Sequence, residues 1–277
     1  PHTVHREPPQ EILRENGSPT GLASLKAHNV LRVCYLPDDY PSAFFNDAGN
    51  LVGFDIEMAH RFARYLDVAL EFLPVQSISE AEQRVNSSYC NVFMALQPIT
   101  PQRTERFSMT APILNEPIGF IVKDYLRDQF RNWADLRKMT GLRVAFLNDP
   151  AARVLLTRML PEVTPILLQD KQELDRLLAS GAANIDAIGA FAEEAAAWTI
   201  RYPNFTMIAP SPPLLVPSGY AVAHKDIDML LYVDTWLLNA KSDGTVDQLY
   251  RYWMLGEVKK TQPPRWSVIR NVLGWVD

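Results

Sequence analysis

Short β-type runs alternate with amphipathic segments from Val30 onward, and this alternation constrains the fold more than any other feature of the sequence. Strands that alternate with helices favour βαβ units built on a largely parallel sheet. In the first part of the chain the pattern predicts strands over residues 30–36, 69–75 and 92–96 and helices over residues 54–66 and 79–86. This part is therefore predicted to form one α/β lobe.

The segment 54–66 carries the clearest helical signal. Its apolar residues recur at helical spacing and form one stripe: Met58, Ala59, Phe62, Ala63 and Leu66. The polar residues between them are predicted to face solvent: Asp55, Glu57, His60, Arg61 and Arg64. A lone histidine on the polar side of a helix is most often solvated, so His60 is expected to have no chemical role.

A second series of the same kind follows a predicted crossing strand at 119–123. It has strands at 143–147, 166–168 and 185–190 and helices at 151–160, 171–179 and 191–200. One more strand at 219–223 then precedes helices at 226–240 and 245–254. The series predicts a second α/β lobe, and the sequence shows no internal repeat of fixed period.

Residues 1–29 differ from the rest of the chain because they combine four prolines with mixed charges and little apolar periodicity. We interpret them as a linker or tether with one short helix over 10–16. They lack the apolar stretch of a signal peptide, which leaves two alternatives: a cytosolic protein or a piece of a longer precursor. The first residue is Pro rather than Met, which favours the second alternative, a piece of a longer precursor.

Charge, cysteine content and motifs narrow the classes of function. The chain has 27 Lys and Arg against 32 Asp and Glu, a formal charge of −5, whereas nucleic-acid binding needs a basic face. The spacing of Cys34 and Cys90 fits neither a zinc site nor a CxxC redox pair and leaves the redox compartment open. The sequence also lacks a GxSxG elbow, a phosphate-binding Gly-rich loop and HExxH. We therefore expect no metal, no cofactor and no nucleic-acid partner.

Several ordered motifs between residues 30 and 256 resemble one family. They are LRVCY at 31–35, NLVGFDIEMA at 50–59, ITPQRTERFS at 99–108, the pair Asp186-Ala187, and the run 241–256. In this order they resemble the amino-acid-binding group of the type II periplasmic solute-binding proteins, family 3 of the bacterial extracellular solute-binding proteins. A narrower resemblance, in 192–193, 197–203 and 264–275, is to the binding domain that follows a dicarboxylate:cation symporter in some bacterial fusion proteins.

The resemblance implies an α/β fold with two lobes of the Venus-flytrap type, in which each lobe is a mixed sheet flanked by helices and two crossing strands join the lobes. Lobe 1 would comprise residues 30–118 and 218–255, lobe 2 residues 119–217, and residues 256–277 a C-terminal tail. Hinge closure would capture a small amino acid or carboxylate in the cleft between the lobes. The symporter resemblance implies a membrane transporter domain upstream, a periplasmic location, and a tether to the inner membrane formed by residues 1–29.

Thr100 and Arg103 are the residues that the resemblance assigns to the carboxylate of the ligand. The run Thr100-Pro101-Gln102-Arg103 has the pattern of an N-cap, a proline at the first helical position and an arginine in the first turn. Backbone N–H groups at a helix start, with a guanidinium beside them, suit a carboxylate. The motif alone also fits a plain capped helix with a surface arginine.

Two departures from the family pattern concern the anionic part of the ligand. Pro98 stands where amino-acid binders usually have a Ser or Thr hydroxyl that also contacts the carboxylate. Asp149-Pro150 replaces the Gly-Thr of the second lobe, and Asp149 is expected to cap the helix at 151 with its own carboxylate. That charge would disfavour a second anionic group on the ligand and could instead receive an ammonium group.

The third departure concerns the amine of the ligand. Phe191 occupies the position of the ammonium-binding Asp of the family. Burying an ammonium group without a counter-charge costs several kcal/mol, so Glu193 or Asp149 must substitute if the ligand is an α-amino acid. Glu194 is expected to be solvated on its helix. Otherwise the ligand is a carboxylate without an amine, and Phe191 packs on its apolar part.

The loop after the first strand contributes further candidates, Asp39, Tyr40 and Phe44. Family members commonly place an aromatic residue over the ligand at this position, where a ring can cover an apolar side chain or a cation. The alternative, that Tyr40 and Phe44 only pack the loop against its own lobe, stays open.

We expect a solute-binding receptor domain rather than an enzyme. Two other functions remain open: the sensor domain of a signalling protein, which would use the same site, and an enzyme similar to cyclohexadienyl dehydratase. In the enzyme, Glu193 opposite Arg103 would act as the acid of an elimination.

Overall fold

The computed structural model describes residues 2–7, 9, 21–147 and 150–257. Its strands are β1 His2–Val4, β2 Val30–Tyr35, β3 Phe44–Phe45, β4 Leu51–Val52, β5 Ala69–Pro74, β6 Val92–Pro98, β7 Phe107–Met109, β8 Leu114–Lys123, β9 Arg143–Leu147, β10 Thr164–Leu168, β11 Ala187–Phe191, β12 Phe205–Ile208 and β13 Leu215–Ala223. Its helices are α1 Gly21–His28, α2 Phe54–Leu66, α3 Ile78–Asn86, α4 Pro101–Thr104, α5 Trp133–Leu136, α6 Pro150–Met159, α7 Lys171–Ala179, α8 Ala192–Arg201, α9 Ile227–Ser242 and α10 Thr245–Trp253, with a 3₁₀ helix at Asp124–Phe130.

The chain divides into two compact units, and strands β8 and β13 each run from one unit into the other. Unit 1 comprises Pro1–Leu114 and Ser218–Asp277, and unit 2 comprises Asn115–Pro217. The first change of unit therefore falls at the start of β8, whereas the predicted boundary at 118/119 lies inside that strand. Both units combine a mixed sheet with helices, so the α/β prediction is confirmed.

The sheet of unit 1 has the order β1-β5-β2-β6-β13, with β7 pairing to β13. Strands β1, β5, β2 and β6 are parallel, whereas β13 is antiparallel to β6. The apolar stripe of α2 packs on this sheet, and Phe62 also contacts Trp236 of α9, with ring centroids 4.6 Å apart. The prediction for the apolar side of α2 is confirmed. It is wrong for Asp55, which is fully buried because the first turn of α2 lies under the loop after β2.

Gly53 allows that close approach between the start of α2 and the loop. A Cβ atom at Gly53 would lie 2.2 Å from the carbonyl oxygen of Ser42, and the residue has a φ of 133°. Only glycine combines this backbone conformation with this contact. The glycine of the GFD motif therefore sets the distance between α2 and the loop.

The N-terminal segment, predicted as a linker or tether, contains the strand β1 and the helix α1. His2–Val4 pairs in parallel with β5, and the side chain of His5 lies 2.8 Å from the Glu71 carboxylate. Helix α1 packs on unit 1 through the buried Leu25. An edge strand offers open N–H and C=O groups that any extended segment can pair with, so apolar periodicity is not needed. The predicted helix at 10–16 and residues 258–277 of the predicted tail lie outside the described residues.

Cys34 and Cys90 form a disulfide that the sequence did not reveal. Their Cα atoms lie 5.7 Å apart because β2, which holds Cys34, pairs directly with β6, which begins two residues after Cys90. Both residues are buried. Stable disulfides are typical of oxidising compartments such as the bacterial periplasm.

The sheet of unit 2 has the order β8-β11-β9-β10, with β12 also pairing to β8. Strand β11 is antiparallel to β8 and parallel to β9. Side chains on the two faces of β8 pack into different apolar clusters. Phe120 and Val122 belong to one cluster, and Ile121 belongs to the other. This sheet is therefore covered on both faces, and α8 begins directly at the end of β11.

Candidate functional site

Thr100 and Arg103 lie in a tight turn directly after β6. The side-chain oxygen of Thr100 accepts a hydrogen bond from the backbone N–H of Arg103 at 3.3 Å, and Pro101 occupies the first position of α4, so the predicted cap is present. Helix α4 is a single turn, and its dipole is small. The guanidinium of Arg103 is therefore the main positive charge of this turn, and its residue is only 6% exposed.

The loop after β2 is folded back on itself. The backbone N–H of Asp39 donates to Ala43, while those of Ser42 and Ala43 donate to the carbonyl of Asp39 at 2.6 and 2.7 Å. The Tyr40 ring stacks on Phe44, with centroids 4.7 Å apart. Phe44 is fully buried in the core of unit 1, whereas Asp39 and Tyr40 are half-buried. Of the two aromatic candidates, Phe44 thus supports the ring of Tyr40 from the core.

Asp55 joins this loop to two strands of unit 1. It accepts hydrogen bonds from the Tyr220 hydroxyl at 2.6 Å and from the backbone N–H of Leu96 at 3.2 Å. The backbone N–H of Asp55 donates in turn to the carbonyl of Ser42 in the loop. Leu96 lies on β6, four residues before Thr100 in the sequence. Through its backbone and its side chain together, Asp55 therefore fixes the loop, the strand that leads to Arg103, and the crossing strand β13.

Burial raises the pKa of Asp55 well above its ordinary value, and the negative charge of Asp39 raises this pKa further. The hydrogen bonds from Tyr220 and Leu96 oppose that shift. Sequence reasoning missed this role because an acidic residue in the first turn of an amphipathic helix ordinarily faces solvent. The only signal was its position two residues after Gly53.

In unit 2, Phe191 ends β11 and directly precedes α8. Its side chain and that of Glu193 in the first turn of α8 are half-buried. The prediction for Glu194 is wrong, since its carboxylate lies 3.2 Å from the Lys171 ammonium in a mostly buried ion pair. Lys171 opens α7, and this position brings its cation to the start of α8. Asp149 lies outside the described residues.

The structure thus places Asp39, Tyr40, Phe44, Thr100 and Arg103 in unit 1, and Phe191 and Glu193 in unit 2. Within residues 2–7, 9, 21–147 and 150–257, no three His, Cys, Asp or Glu side chains are close enough together to hold a metal ion. Over the same ranges, no helix has the length and apolar character needed to cross a membrane.

Comparison with known families identifies the relatives of this chain. The model of the bacterial extracellular solute-binding proteins, family 3, matches residues 31–256. The chain belongs to this family. The match covers both units and contains each ordered motif that carried the resemblance in the sequence.

Individual relatives agree with this family membership. An amino-acid-binding protein of Dichelobacter nodosus is 23% identical over 222 residues, which are 78% of this chain and 85% of that protein. The membrane-bound lytic murein transglycosylase F of Shewanella denitrificans is 27% identical over 250 residues, 88% of this chain and 45% of that protein. The family 3 chain spans less than half the length of the transglycosylases it matches.

A solved structure shows the same fold. It is the substrate-binding protein of an amino acid ABC transporter from Streptococcus pneumoniae, bound to L-arginine. The TM-score is 0.72 at 21% identity, with 86% of this chain and 99% of that chain covered. The type II periplasmic binding protein fold, with two lobes, is therefore confirmed for this family 3 member.

Proposed function

We propose that this chain is a receptor domain that captures a small amino acid or carboxylate for transport by a membrane partner. The observation that carries the proposal is the buried Arg103 in the capped turn after β6. A guanidinium presents its N–H groups in a planar fork, and a ligand carboxylate can accept two hydrogen bonds from that fork. Family membership supports the same function for the fold as a whole.

The proposed contacts are those that the family resemblance assigns. Thr100 and Arg103 hold the ligand carboxylate, and the half-buried Tyr40 covers the apolar part beside Asp39. Phe191 and Glu193 are the candidates for contacts with the rest of the ligand. If the ligand is an α-amino acid, its ammonium group pairs with Glu193 or Asp149; if it lacks an amine, Phe191 packs on its carbon chain.

Arg103→Ala tests the assignment by isothermal titration calorimetry. We expect the variant to bind a ligand of the wild-type protein at least about thirtyfold more weakly, because the ligand carboxylate loses a desolvated charge partner that contributes about 2–5 kcal/mol. Arg106→Ala is the matched control, since Arg106 is exposed, forms an ion pair with Glu82, and lies three residues away. Unchanged affinity in Arg103→Ala, with a native circular dichroism spectrum, would overturn the assignment.

The cellular setting is part of the proposal. The buried Cys34–Cys90 disulfide supports a periplasmic location, as does a family whose members are extracellular. We propose that the domain is joined to an inner-membrane transporter domain upstream, as in the symporter fusions that the sequence resembles. Ligand uptake by cells that depends on this domain would support transport.

A second candidate function is a regulatory or sensor module of a larger protein. The similarity to murein transglycosylase F, of which the chain matches less than half, favours it. In that case ligand binding changes the activity of an attached domain without ligand uptake. An enzyme of the dehydratase type, with Glu193 as acid, is the third candidate, and turnover of prephenate by the purified chain would reveal it.

A further inference from the structure

We propose that unit 1 holds a second ligand site, separate from the Arg103 turn, that binds a small anion carrying carboxylate or phosphate groups. The site is a cavity of about 750 Å³. It lies entirely within unit 1, and its walls are β1 with the residues after it, the segment from β3 to β4, the polar side of α2, and the end of α10. Cavities of this size accommodate ordinary small-molecule ligands.

The wall formed by α2 consists of the polar residues that the sequence assigned to solvent. Glu57, His60 and Arg64 follow each other at spacings of three and four residues and so lie on one side of the helix. The N-terminal segment turns this side into a cavity wall, because β1 pairs with β5 and brings His2 against His60, with ring centroids 4.8 Å apart.

The N-terminal segment also contributes a fixed cation. The Arg6 guanidinium lies over the Phe45 ring, 4.2 Å from its centroid, and donates one hydrogen bond to the carbonyl of Gly49 at 2.9 Å. These two contacts hold the group in place at the cavity wall and use only one of its five N–H donors. The remaining donors are oriented before a ligand arrives, which reduces the entropic cost of binding.

The charges in the cavity favour an anion. Arg6 and Arg64 carry permanent positive charges, and neither forms an ion pair with a carboxylate in the part of the chain that the structure describes. Glu57 is the one acidic side chain that lines the cavity among the residues the structure describes, and the two histidines can add further N–H donors. A net positive cavity is unusual on a chain with a formal charge of −5. Guanidinium groups bind carboxylate and phosphate oxygens in the same forked geometry, so both chemistries fit.

Calorimetric titration of the full chain with citrate and, separately, with inorganic phosphate tests the proposal at constant pH and ionic strength. We expect at least one of these probes to bind and Arg64→Gln to weaken that binding at least about tenfold, the loss expected for a charge-assisted contact. Arg64 is exposed, and among the described residues its side chain makes no hydrogen bond or ion pair, so Arg64→Gln should fold normally. Stronger binding of citrate points to a carboxylate ligand, and stronger binding of phosphate points to a phosphorylated one.

Two control variants distinguish binding in this cavity from binding elsewhere on the chain. Arg158→Gln makes the same change at an exposed arginine of α6 in unit 2 and should leave binding of the probe unchanged. Arg103→Ala identifies any binding of the probe at the Arg103 turn, because a probe bound there loses affinity in this variant and keeps it in Arg64→Gln. The proposal is overturned if neither probe binds, if Arg64→Gln binds like the wild type, or if Arg103→Ala abolishes binding while Arg64→Gln does not.

Discussion

A buried carboxyl group, that of Asp55, joins three parts of unit 1 that are far apart in sequence. Its partners Tyr220 and Leu96 lie on β13 and β6, and its backbone binds the loop that carries Tyr40. Periodicity could place the apolar residues of α2 but not Asp55, since burial of a charged group depends on donors that only the tertiary fold supplies. The cap formed by Thr100 was predictable because its pattern is local.

Asp55→Asn tests the consequence of this burial for stability. The raised pKa of Asp55 means that the folded chain binds a proton which the unfolded chain has released above about pH 4. The free energy of unfolding of the wild type therefore falls as pH rises between the unfolded and the folded pKa values of Asp55. Asparagine does not titrate. The free energy of unfolding of Asp55→Asn, relative to that of the wild type, should therefore increase across the same pH range.

Urea unfolding of the wild type and of Asp55→Asn from pH 4 to pH 8 measures this difference. We expect it to grow by up to about 1.4 kcal/mol per pH unit between the pKa of Asp55 in the unfolded chain and its raised pKa in the folded chain. A difference that stays constant over the whole range would show that Asp55 titrates alike in both states and would contradict this prediction.

At the scale of elements, the chain joins β2 and β6 both by backbone pairing and by a covalent bond. Cys34 and Cys90 are separated by 56 positions, and their proximity follows from strand order, which spacing in the sequence does not encode. In the chain-entropy treatment, a crosslink over this separation stabilises the folded state by about 4 kcal/mol. The disulfide is therefore expected to be a major contribution to the stability of unit 1.

The variants Cys34→Ala, Cys90→Ala and the double variant measure that contribution. Each single variant already removes the crosslink, so we expect the two single variants and the double variant to lose similar free energies of unfolding, each near about 4 kcal/mol. Denaturant unfolding under non-reducing conditions is the measurement. Losses in the single variants that add up in the double variant would mean that side-chain packing, and not the crosslink, accounts for the effect.

Three strands differ from the bounds that the sequence pattern predicts. Strands β8 and β13 extend four or five residues further toward their N-termini than predicted, through Pro117 and Pro217 respectively. Proline lacks an N–H group and ordinarily argues against a strand, but it is tolerated where the ladder does not need that donor. Strand β1 escaped prediction because three residues of edge pairing leave no periodic signal.

At the scale of the whole molecule, the sequence predicted the α/β class, the succession of strands and helices in each unit, and the family. These depend on periodicity and on ordered motifs, which are local. It could not predict which side chains are brought together by the fold, namely the Asp55 interactions, the disulfide, the Glu194–Lys171 pair and the cavity beside Arg64.

The most direct test of ligand capture is a thermal unfolding panel of the common L-amino acids, their deaminated analogues and dicarboxylates. A ligand at about 100 times its dissociation constant stabilises the folded chain by about 2.7 kcal/mol. At about 2–4 °C per kcal/mol this raises Tm by several degrees. We predict such a rise for at least one compound with the wild type, retained in Arg64→Gln and lost in Arg103→Ala. No rise for any compound, or an equal rise in Arg103→Ala, would contradict the proposed function.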